Sequence, residues 1–582
     1  MNIAAIMHRP TLENIYPIDR TKLCFKIQTA RDDMKNINLV WWFRCDENQN
    51  KLRRVPLILE YRDKYSDYYE TVVDTKEIAA YVRYYFVFDD DNEKISYGAK
   101  GFDNGEPDFN KNYFEFLWPN KSDGHYAPSW SNKLIYYQIF PERFKNGDET
   151  LSPKDCVPWG SKPTRENFMG GDIRGIIDEL DYIKDLGVNC IYMTPIFKAP
   201  SNHKYDTVDY YEINPSFGNK DDLRKLVDEV HRKDMKIILD GVFNHCGYYW
   251  PYFQDVVKKG KGSKFADWFY IDNYPILLEE KNYDCVGHYK WMPKLNMENS
   301  DVVEYFIKIG EYWIKEFNID GWRLDVADEI ATTFFQRFST RIKKIKPDAL
   351  LLGETWGDAG KLVNSDRLDT AMNYLFRDAM VDWIAKEEIK PSRFDHLINK
   401  MLSLYPREVS LRMYNLLDSH DTARFMYECN NDIRKYKLAI AMQMTMPGCP
   451  AIFYGDEIGL SGDNDPDCRL CMEWNEIKQN KELLSWYKKL ISIRKNNRTL
   501  YEGKYHSLIC DDERNIYAYT RDIDEESIVV IINASECKHE VFLPIEKTIW
   551  CDVLNESYIT ENMINVPSFS VHILKKGGNL KR

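Results

Sequence analysis

Hydrophobic and polar positions change texture twice along the chain. From the start to about residue 125, short β-type runs such as Leu23–Gln28, Leu39–Phe43 and Tyr81–Phe88 are separated by Asp/Asn-rich turns, which predicts a β-sandwich. Beyond Pro128 short apolar runs alternate with helical stripes, the pattern of parallel strands connected by helices. The runs are Leu134–Phe140, Val188–Thr194, Lys236–Phe243, Gly321–Val326, Leu350–Gly353, Thr370–Tyr374, Tyr414–Leu417 and Cys449–Tyr454. Eight of them suit a closed (β/α)8 TIM barrel. Between them Leu223, Leu226, Val227 and Val230 share one helical face, as do Val303, Phe306, Ile307, Gly310, Ile314 and Phe317. The aromatic-rich stretch 246–300 is too long for an ordinary strand-to-helix loop and predicts an inserted small domain after the third strand. From about residue 502 the β pattern returns in Ile516–Tyr519, Ser527–Ile532 and Val566–Leu574. The expected organisation is multidomain α/β: an N-terminal β-sandwich over 1–125, the barrel with its insertion over 126–501, and a C-terminal antiparallel β domain over 502–582.

Composition narrows the class. Of 582 residues 44% are hydrophobic and 29% charged, ordinary globular usage, so the chain can bury a large core. Lys and Arg total 79 against 92 Asp and Glu, a net charge of −13 that repels the phosphate backbone dominating nucleic-acid affinity. Thirteen cysteines, scattered from Cys24 to Cys551, lack the dense even spacing of a secreted disulfide scaffold and fit a reducing compartment. The first ten residues show no basic stretch followed by an apolar run and a small-residue cleavage site, so the expected location is the cytoplasm. The longest uncharged run, residues 438–455, is broken by Pro447-Gly448-Cys449-Pro450 and reads as buried core, not membrane. Cys468-x-x-Cys471 lacks a second pair or nearby histidine, so it reads as free thiols and not a zinc site.

In a strand/helix barrel the working residues sit at the C-terminal ends of strands. Four of the runs end in polar clusters: Asp240-Gly241-Val242-Phe243-Asn244-His245, Arg323-Leu324-Asp325, Gly353-Glu354-Thr355-Trp356 and Asp418-Ser419-His420-Asp421. Carboxylates converging with histidines and an arginine suit cleavage of a glycosidic bond. That reaction needs one carboxylic acid to protonate the leaving oxygen and another carboxylate beneath the anomeric carbon, and it requires neither metal nor cofactor. Arg323 precedes Asp325 by two residues, so on a strand both face one side and the guanidinium can hold that carboxylate ionised, as a nucleophile needs. Glu354, ending an apolar strand near Trp356, is the candidate for a raised pKa and the acid/base role. Ser419-His420-Asp421 is no hydrolase relay, because adjacent residues cannot make the spatial relay.

In order and spacing, Asp240–His245, Gly321–Asp325, Gly353–Trp356 and Ser419–Asp421 resemble the four signature regions of the α-amylase superfamily of glycoside hydrolases. Met292-Pro293-Lys294-Leu295-Asn296 looks like the marker of its neopullulanase, cyclomaltodextrinase and maltogenic amylase group, in which an N-terminal β module is typical. His203-Lys204-Tyr205-Asp206-Thr207 and Asp465-Pro466-Asp467-Cys468-Arg469 add matches outside the four regions. The resemblance implies that Asp325 is the nucleophile, Glu354 the general acid/base and Asp421 the stabiliser of the oxocarbenium-like transition state. It implies that Tyr205 stacks on the sugar being cleaved, that His245 and His420 hydrogen-bond its hydroxyls, that Asp240 and Arg323 support the nucleophile, and that Asp465 and Arg469 grip the same ring, with Trp356 a further substrate contact. The implied reaction is retaining, endo-acting hydrolysis of α-1,4 bonds in cyclodextrins, pullulan, maltooligosaccharides and starch. The alternatives on the same scaffold are a transglycosylase or an α-1,6-acting glucosidase. The N-terminal module would either bind starch or cover a partner's active site in a homodimer.

Two departures from the family pattern stand out. Relatives commonly carry Asn-Glu-Val-Asp-His where this chain has Asp328-Glu329-Ile330-Ala331-Thr332, which bears on the acceptor site. Asn146, Asp148, Gly170 and Asp172 match a structural Ca²⁺ site of related enzymes, but Leu151 and Ser152 stand where further oxygen ligands are expected, and Ca²⁺ takes six to eight oxygens.

Overall fold

The computed structural model describes residues 1–46, 48–89 and 93–577. The chain divides into two compact units, one made of Met1–Tyr126, Val363–Asp366 and Pro391–Ser410, the other of Ala127–Leu362, Arg367–Lys390 and Leu411 onward. The first unit holds two antiparallel sheets. One runs in the order Ile15–Pro17, Lys22–Ala30, Ser66–Asp74, Ile58–Arg62; the other contains Arg53–Pro56, Asn36–Phe43, Val82–Asp89, Lys94–Gly98 and Gly101–Asn104, with Phe114–Phe116 on Val82–Asp89. Alternate residues of each sheet, Leu23, Phe25 and Ile27 on one and Tyr84, Phe86 and Phe88 on the other, meet in one apolar core, as the period of two along a strand requires.

In the second unit eight parallel strands follow in chain order: Tyr136–Ile139, Cys190–Met193, Lys236–Gly241, Gly321–Leu324, Leu350–Gly353, Thr370–Ala371, Tyr414–Leu416 and Cys449–Phe453. Each pairs with its sequence neighbour among these eight, the eighth pairs with the first, and a parallel bridge between Met372 and Tyr414 joins the sixth to the seventh. The ring is the expected barrel. Tyr136, Tyr192, Ile238, Leu350, Leu352, Tyr414 and Leu416 fill its interior, so it is a packed core and not a channel. The sixth run is shorter than its apolar sequence suggests. It stops at Ala371 because the Asn373 side chain accepts from Phe376 N at 3.3 Å and caps a helix, Tyr374–Met380, satisfying an amide that would otherwise lack a partner.

Outer helices cover the ring. Asn299 caps Ser300–Phe317 by accepting from Asp301 N at 2.9 Å, and the stripe Val303, Phe306, Ile307, Gly310, Ile314, Phe317 is buried. Gly310 is where the next helix, Thr332–Ile345, approaches: a Cβ there would lie 2.3 Å from the Phe338 ring. Residues 438–455 are core, split between the helix Ile433–Thr445 and the eighth strand. Among the described residues no helix is long and apolar enough to cross a membrane.

At the start of the fourth strand Asp320 accepts from His231 Nε2 at 2.7 Å, Ile237 N at 3.0 Å, Lys236 Nζ at 3.1 Å and Lys346 Nζ at 3.0 Å. Burial works against its charge, but the His231 hydrogen bond and the Lys346 charge outweigh it and hold the carboxyl at about 2. A folded-state pKa below the unfolded one stabilises the fold above about pH 4 and loses that contribution as pH falls toward 2. Asp320→Asn is therefore expected to cost about 2 kcal/mol at pH 7 and progressively less below pH 4. Urea unfolding of both proteins at pH 7 and pH 3 checks this; an equal cost at the two pH values would contradict it.

Residues 246–299 form the inserted segment, packed on the buried aromatics Trp250, Phe253, Trp268, Phe269 and Tyr283 and pinned by single bridges Phe269↔Leu295 and Cys285↔Pro293. The C-terminal part is a six-stranded antiparallel sheet in the order Lys504–Asp511, Ile516–Ile523, Glu526–Asn533, Ser570–Lys576, Trp550–Asp552, Ser557–Ile559, plus the pair His539–Phe542 and Met563–Val566. The apolar run 566–574 is thus two strands. Pro567 and the left-handed Phe569 (φ 44°) make the break, since proline donates no ladder hydrogen bond and a positive φ turns the chain.

Candidate active site

Strand register brings the polar ends together. In the parallel ladder Asp240 lies opposite Arg323, and Leu324 opposite Gly353, so Asp325 and Glu354 leave their strands at one level at the C-terminal end of the barrel. Arg323 is fully buried. Its Nη1 donates to Asp325 Oδ1 at 2.7 Å and to the two Asp240 oxygens at 3.2 and 3.1 Å, and its Nη2 lies 2.9 Å from Glu354 Oε2. One guanidinium thus serves three carboxylates, where the sequence spacing had paired it with Asp325.

What separates the two outer carboxyls is their remaining oxygens. Glu354 Oε2 also accepts from Val326 N at 2.8 Å. Asp325 Oδ2 is buried with no hydrogen-bond partner among the described residues, 3.9 Å from His245 Nδ1. Burial raises the Asp325 pKa well above the usual carboxylate range, Arg323 opposing and Glu354 and Asp240 adding to the rise. Glu354 is raised by burial too, with Arg323 opposing and Asp421 adding. Asp240, despite Arg323 and the hydroxyls of Tyr192 and Tyr205, is pushed up to about 6 by burial. All three carboxyls around this single buried cation are raised, so at Asp325 burial outweighs the guanidinium that the sequence spacing expects to hold the charge.

The amide that anchors Glu354 comes from a strained residue. Val326 stands at φ 46°, ψ 47°, a left-handed conformation that a β-branched residue resists at a cost of about 1–3 kcal/mol. The bend points its N–H at Glu354 Oε2 and keeps Asp325 N on Gly241 O at 3.1 Å.

On the other wall Gln138 Nε2 donates to His420 Nδ1 at 2.6 Å, leaving the ring proton on Nε2, which meets Tyr205 OH at 2.5 Å and Asp421 Oδ2 at 3.0 Å. Tyr205 OH donates onward to Asp240 Oδ2 at 3.1 Å. Burial drives the His420 pKa well below its ordinary value, with Arg469 and Arg323 adding, and burial takes His245 down to about 3. Arg469 holds Asp421 Oδ1 at 3.3 Å and Asp465 Oδ1 at 2.9 Å, and its Nε donates to His420 O at 2.8 Å. Trp356 lies flat on Tyr374, ring centres 3.9 Å apart and planes 16° from parallel, with half its surface exposed.

These groups line a pocket of ≈ 590 Å³. Of the residues singled out from sequence, Tyr205, His245, Asp325, Glu354, Trp356, Asp421, Asp465 and Arg469 face it; Asp240, Arg323 and His420 lie behind them, bonded to their side chains. Arg165, Val286, Tyr289 and Asn464 also line it and were not singled out. They belong to loops with no periodicity, held by local contacts: Arg165 Nε lies 3.3 Å from Asp465 Oδ2, and Asn464 Oδ1 accepts from Ala423 N at 3.2 Å. His203 and Met292 also face the pocket, and both fall inside runs that the sequence does mark. The unusual segment beside the site is anchored through Asp328, whose Oδ2 accepts from Trp356 N at 3.2 Å, and through Glu329, whose Oε2 accepts from Lys294 Nζ of the insertion at 2.8 Å and from Asn244 Nδ2 at 3.2 Å.

The side chains matched to a Ca²⁺ site do not present a cation's donor set, and Gly170, which has only its backbone to offer, donates its N–H to Glu142 Oε1 at 2.9 Å. Asp148 Oδ1 accepts from Thr150 N and Oγ1, and its Oδ2 is paired with Arg174. Asp172 accepts from Gly147 N, Asp148 N and Gly175 N through both oxygens. Asn146 Nδ2 donates to Ser152 Oγ at 2.9 Å, leaving Oδ1 as the one buried oxygen of these side chains without a hydrogen bond among the described residues. A fixed guanidinium on Asp148 and amides on Asp172 leave far fewer than the six to eight oxygens that Ca²⁺ takes, so the residues do not fit the ion.

Comparison with known proteins agrees with this architecture. Residues 138–478 match the alpha amylase catalytic domain and residues 1–120 the alpha amylase N-terminal Ig-like domain. The chain is 42% identical over 542 residues to a cyclomaltodextrinase of Thermoanaerobacter pseudethanolicus, covering 93% of this chain and 94% of that protein. It is 41% identical over 552 residues to an intracellular maltogenic amylase of Bacillus subtilis, covering 93% of each. A solved cyclomaltodextrinase structure superposes with a TM-score of 0.94 at 38% identity, over 99% of this chain and all of that one. A barrel with this ordered set of strand-end carboxylates, an Ig-like N-terminal module and relatives of this identity over nearly its full length therefore belongs to the α-amylase family of glycoside hydrolases.

Proposed function

We propose that the chain is a retaining, endo-acting hydrolase of α-1,4-glucosidic bonds, taking cyclodextrins, pullulan, maltooligosaccharides and starch. The observation that carries the reading is the bare, buried Asp325 Oδ2 beside Glu354 on the floor of one pocket. Asp325 Oδ1 is held by Arg323, so Oδ2 keeps a free lone pair for the anomeric carbon. Glu354 is anchored through Oε2 by Val326 N–H and Arg323, which leaves Oε1 to carry the proton to the leaving oxygen. Attack by Asp325 as Glu354 protonates the departing sugar gives a glycosyl-enzyme; Glu354 then takes a proton from water, which displaces Asp325 with overall retention. Asp421, fixed by Arg469 and His420, places negative charge beside the oxocarbenium-like transition state.

Support for the substrate class comes from relatives named cyclomaltodextrinase, maltogenic amylase and neopullulanase at 37–43% identity; the intracellular relative favours a cytoplasmic site of action. Chromatography of products from β-cyclodextrin, pullulan and soluble starch tests the reading. Opening of the cyclodextrin with release of panose from pullulan is expected. Turnover of starch or branched oligosaccharides without turnover of cyclodextrin would replace it by an α-1,6-acting or transferring enzyme, with Asp328–Thr332 as the place to look.

The Arg174 pairing carries its own prediction. Arg174 bonds Asp222 Oδ1 at 2.9 Å as well as Asp148, so a guanidinium supplies the positive charge that a metal would bring there. Excess EDTA is expected to leave both melting temperature and activity unchanged, whereas a drop restored by Ca²⁺ would show that these side chains rearrange to bind the ion.

A further inference from the structure

The inserted segment carries a second recess, of ≈ 230 Å³, lined by Pro200, Asp206, Val208, Tyr248, Tyr249 and Trp291. Its aromatic residues are not there to build the core. Trp250, Phe253, Trp268 and Tyr283 do that and are buried, whereas Tyr249 is 56% and Trp291 43% exposed. Their rings lie 26° from parallel with centres 6.0 Å apart, an offset stack that forms one plate. Tyr248 stands edge-on to both, at 5.4 and 5.6 Å, and props them up. The support is rigid: Tyr248 N donates to Trp291 O at 2.8 Å and Gly247 N to Thr207 O at 2.8 Å. Beside this apolar wall is the Asp206 carboxyl, one of whose oxygens is engaged by Ser201 Oγ.

An exposed aromatic plate flanked by a carboxylate has the chemistry that recognises a pyranose. The C–H face of a sugar ring packs on the electron-rich ring face, and the carboxylate accepts from its hydroxyls. We propose that this recess is a carbohydrate-binding site outside the catalytic pocket, taking a glucosyl unit of a longer α-glucan; for its ligand class it rests on the proposed function. The two sites share two segments of chain: Tyr205 and Met292 face the catalytic pocket, while the adjoining Asp206 and Trp291 face the recess. A glucan held at the recess is thereby kept near the catalytic carboxylates, which raises its local concentration there.

The test uses the full chain with Tyr249→Ala and Trp291→Ala together, and a companion with Tyr249→Phe and Trp291→Phe that keeps the plate. In a Glu354→Gln background, electrophoresis through gels of graded amylopectin content reads affinity; with Glu354 intact, β-cyclodextrin turnover reads the catalytic pocket. The alanine pair is expected to weaken amylopectin retention about tenfold through loss of two ring contacts, with β-cyclodextrin turnover unchanged, and the phenylalanine pair to keep retention. Undiminished retention in the alanine pair, no retention of the parent, or an equal fall in retention and turnover would each overturn the proposal. If the parent turned over no glucan yet the alanine pair still lost retention, the site would stand and the catalytic reading would fail.

Discussion

Glu354→Gln is expected to lower kcat on an α-glucan by roughly 10²–10⁴-fold, the contribution of a positioned general acid/base, with little change in substrate binding. Glutamine keeps the shape, and its carbonyl oxygen can still accept from Val326 N–H, so the strained bend at Val326 that places the side chain keeps its anchor. Only the transferable proton is lost. The pH profile carries a second signature. Catalysis needs Glu354 protonated and Asp325 ionised, so activity falls on the acid side as Asp325 gains a proton and on the alkaline side as Glu354 loses its own. Because burial raises both Asp325 and Glu354, both limbs lie above the range of a free carboxylate, and the alkaline one is the limb that the variant loses. Steady-state kinetics from pH 4 to 9 on both proteins check it; near-normal turnover, or an unchanged alkaline limb, would remove Glu354 from the acid/base role.

The second large effect is at Asp325. Asp325→Asn removes the attacking oxygen while leaving an isosteric side chain, and kcat is expected to fall by at least about 10⁴-fold, as for other covalent nucleophiles. Arg323 still has Asp240 at 3.1 Å and Glu354 at 2.9 Å, so its buried charge stays paired and the fold is expected to hold. The melting temperature is the control: a fall in activity with an unchanged melting temperature assigns the loss to chemistry, and a variant that turns over within tenfold of the parent would place the nucleophile elsewhere.

Much of this was legible in the chain because buried parallel strands are written as apolar runs on both faces. The polar residues that end them gather at the barrel's C-terminal rim, where Asp325, Glu354 and Asp421 face the pocket and Asp240 lies behind them on Arg323. Register is what the runs do not carry. The spacing pairs Arg323 with Asp325, whereas the ladder also sets Asp240 beside it and Glu354 within reach of Nη2. Loop contributions were silent for a related reason: Arg165 and Tyr289 reach the pocket through backbone paths that no periodicity records. A helical stripe likewise says that a face is buried without saying against what. Pro391–Ser403 has such a stripe, and only the folded chain groups it with the N-terminal sandwich. The Ca²⁺ expectation rested on oxygen-bearing residue types; which partners those oxygens take, above all Arg174 on Asp148, is a tertiary fact.

The central claim is that hydrolysis passes through a covalent bond to Asp325. The most direct measurement is mass spectrometry of peptides from the intact enzyme after incubation with a fluorinated α-glucosyl donor whose glycosyl-enzyme breaks down slowly. The account predicts one added fluoroglucosyl mass on the peptide containing Asp325, absent from Asp325→Asn. A label on any other carboxylate, or turnover of the donor with inverted product and no label, would contradict it.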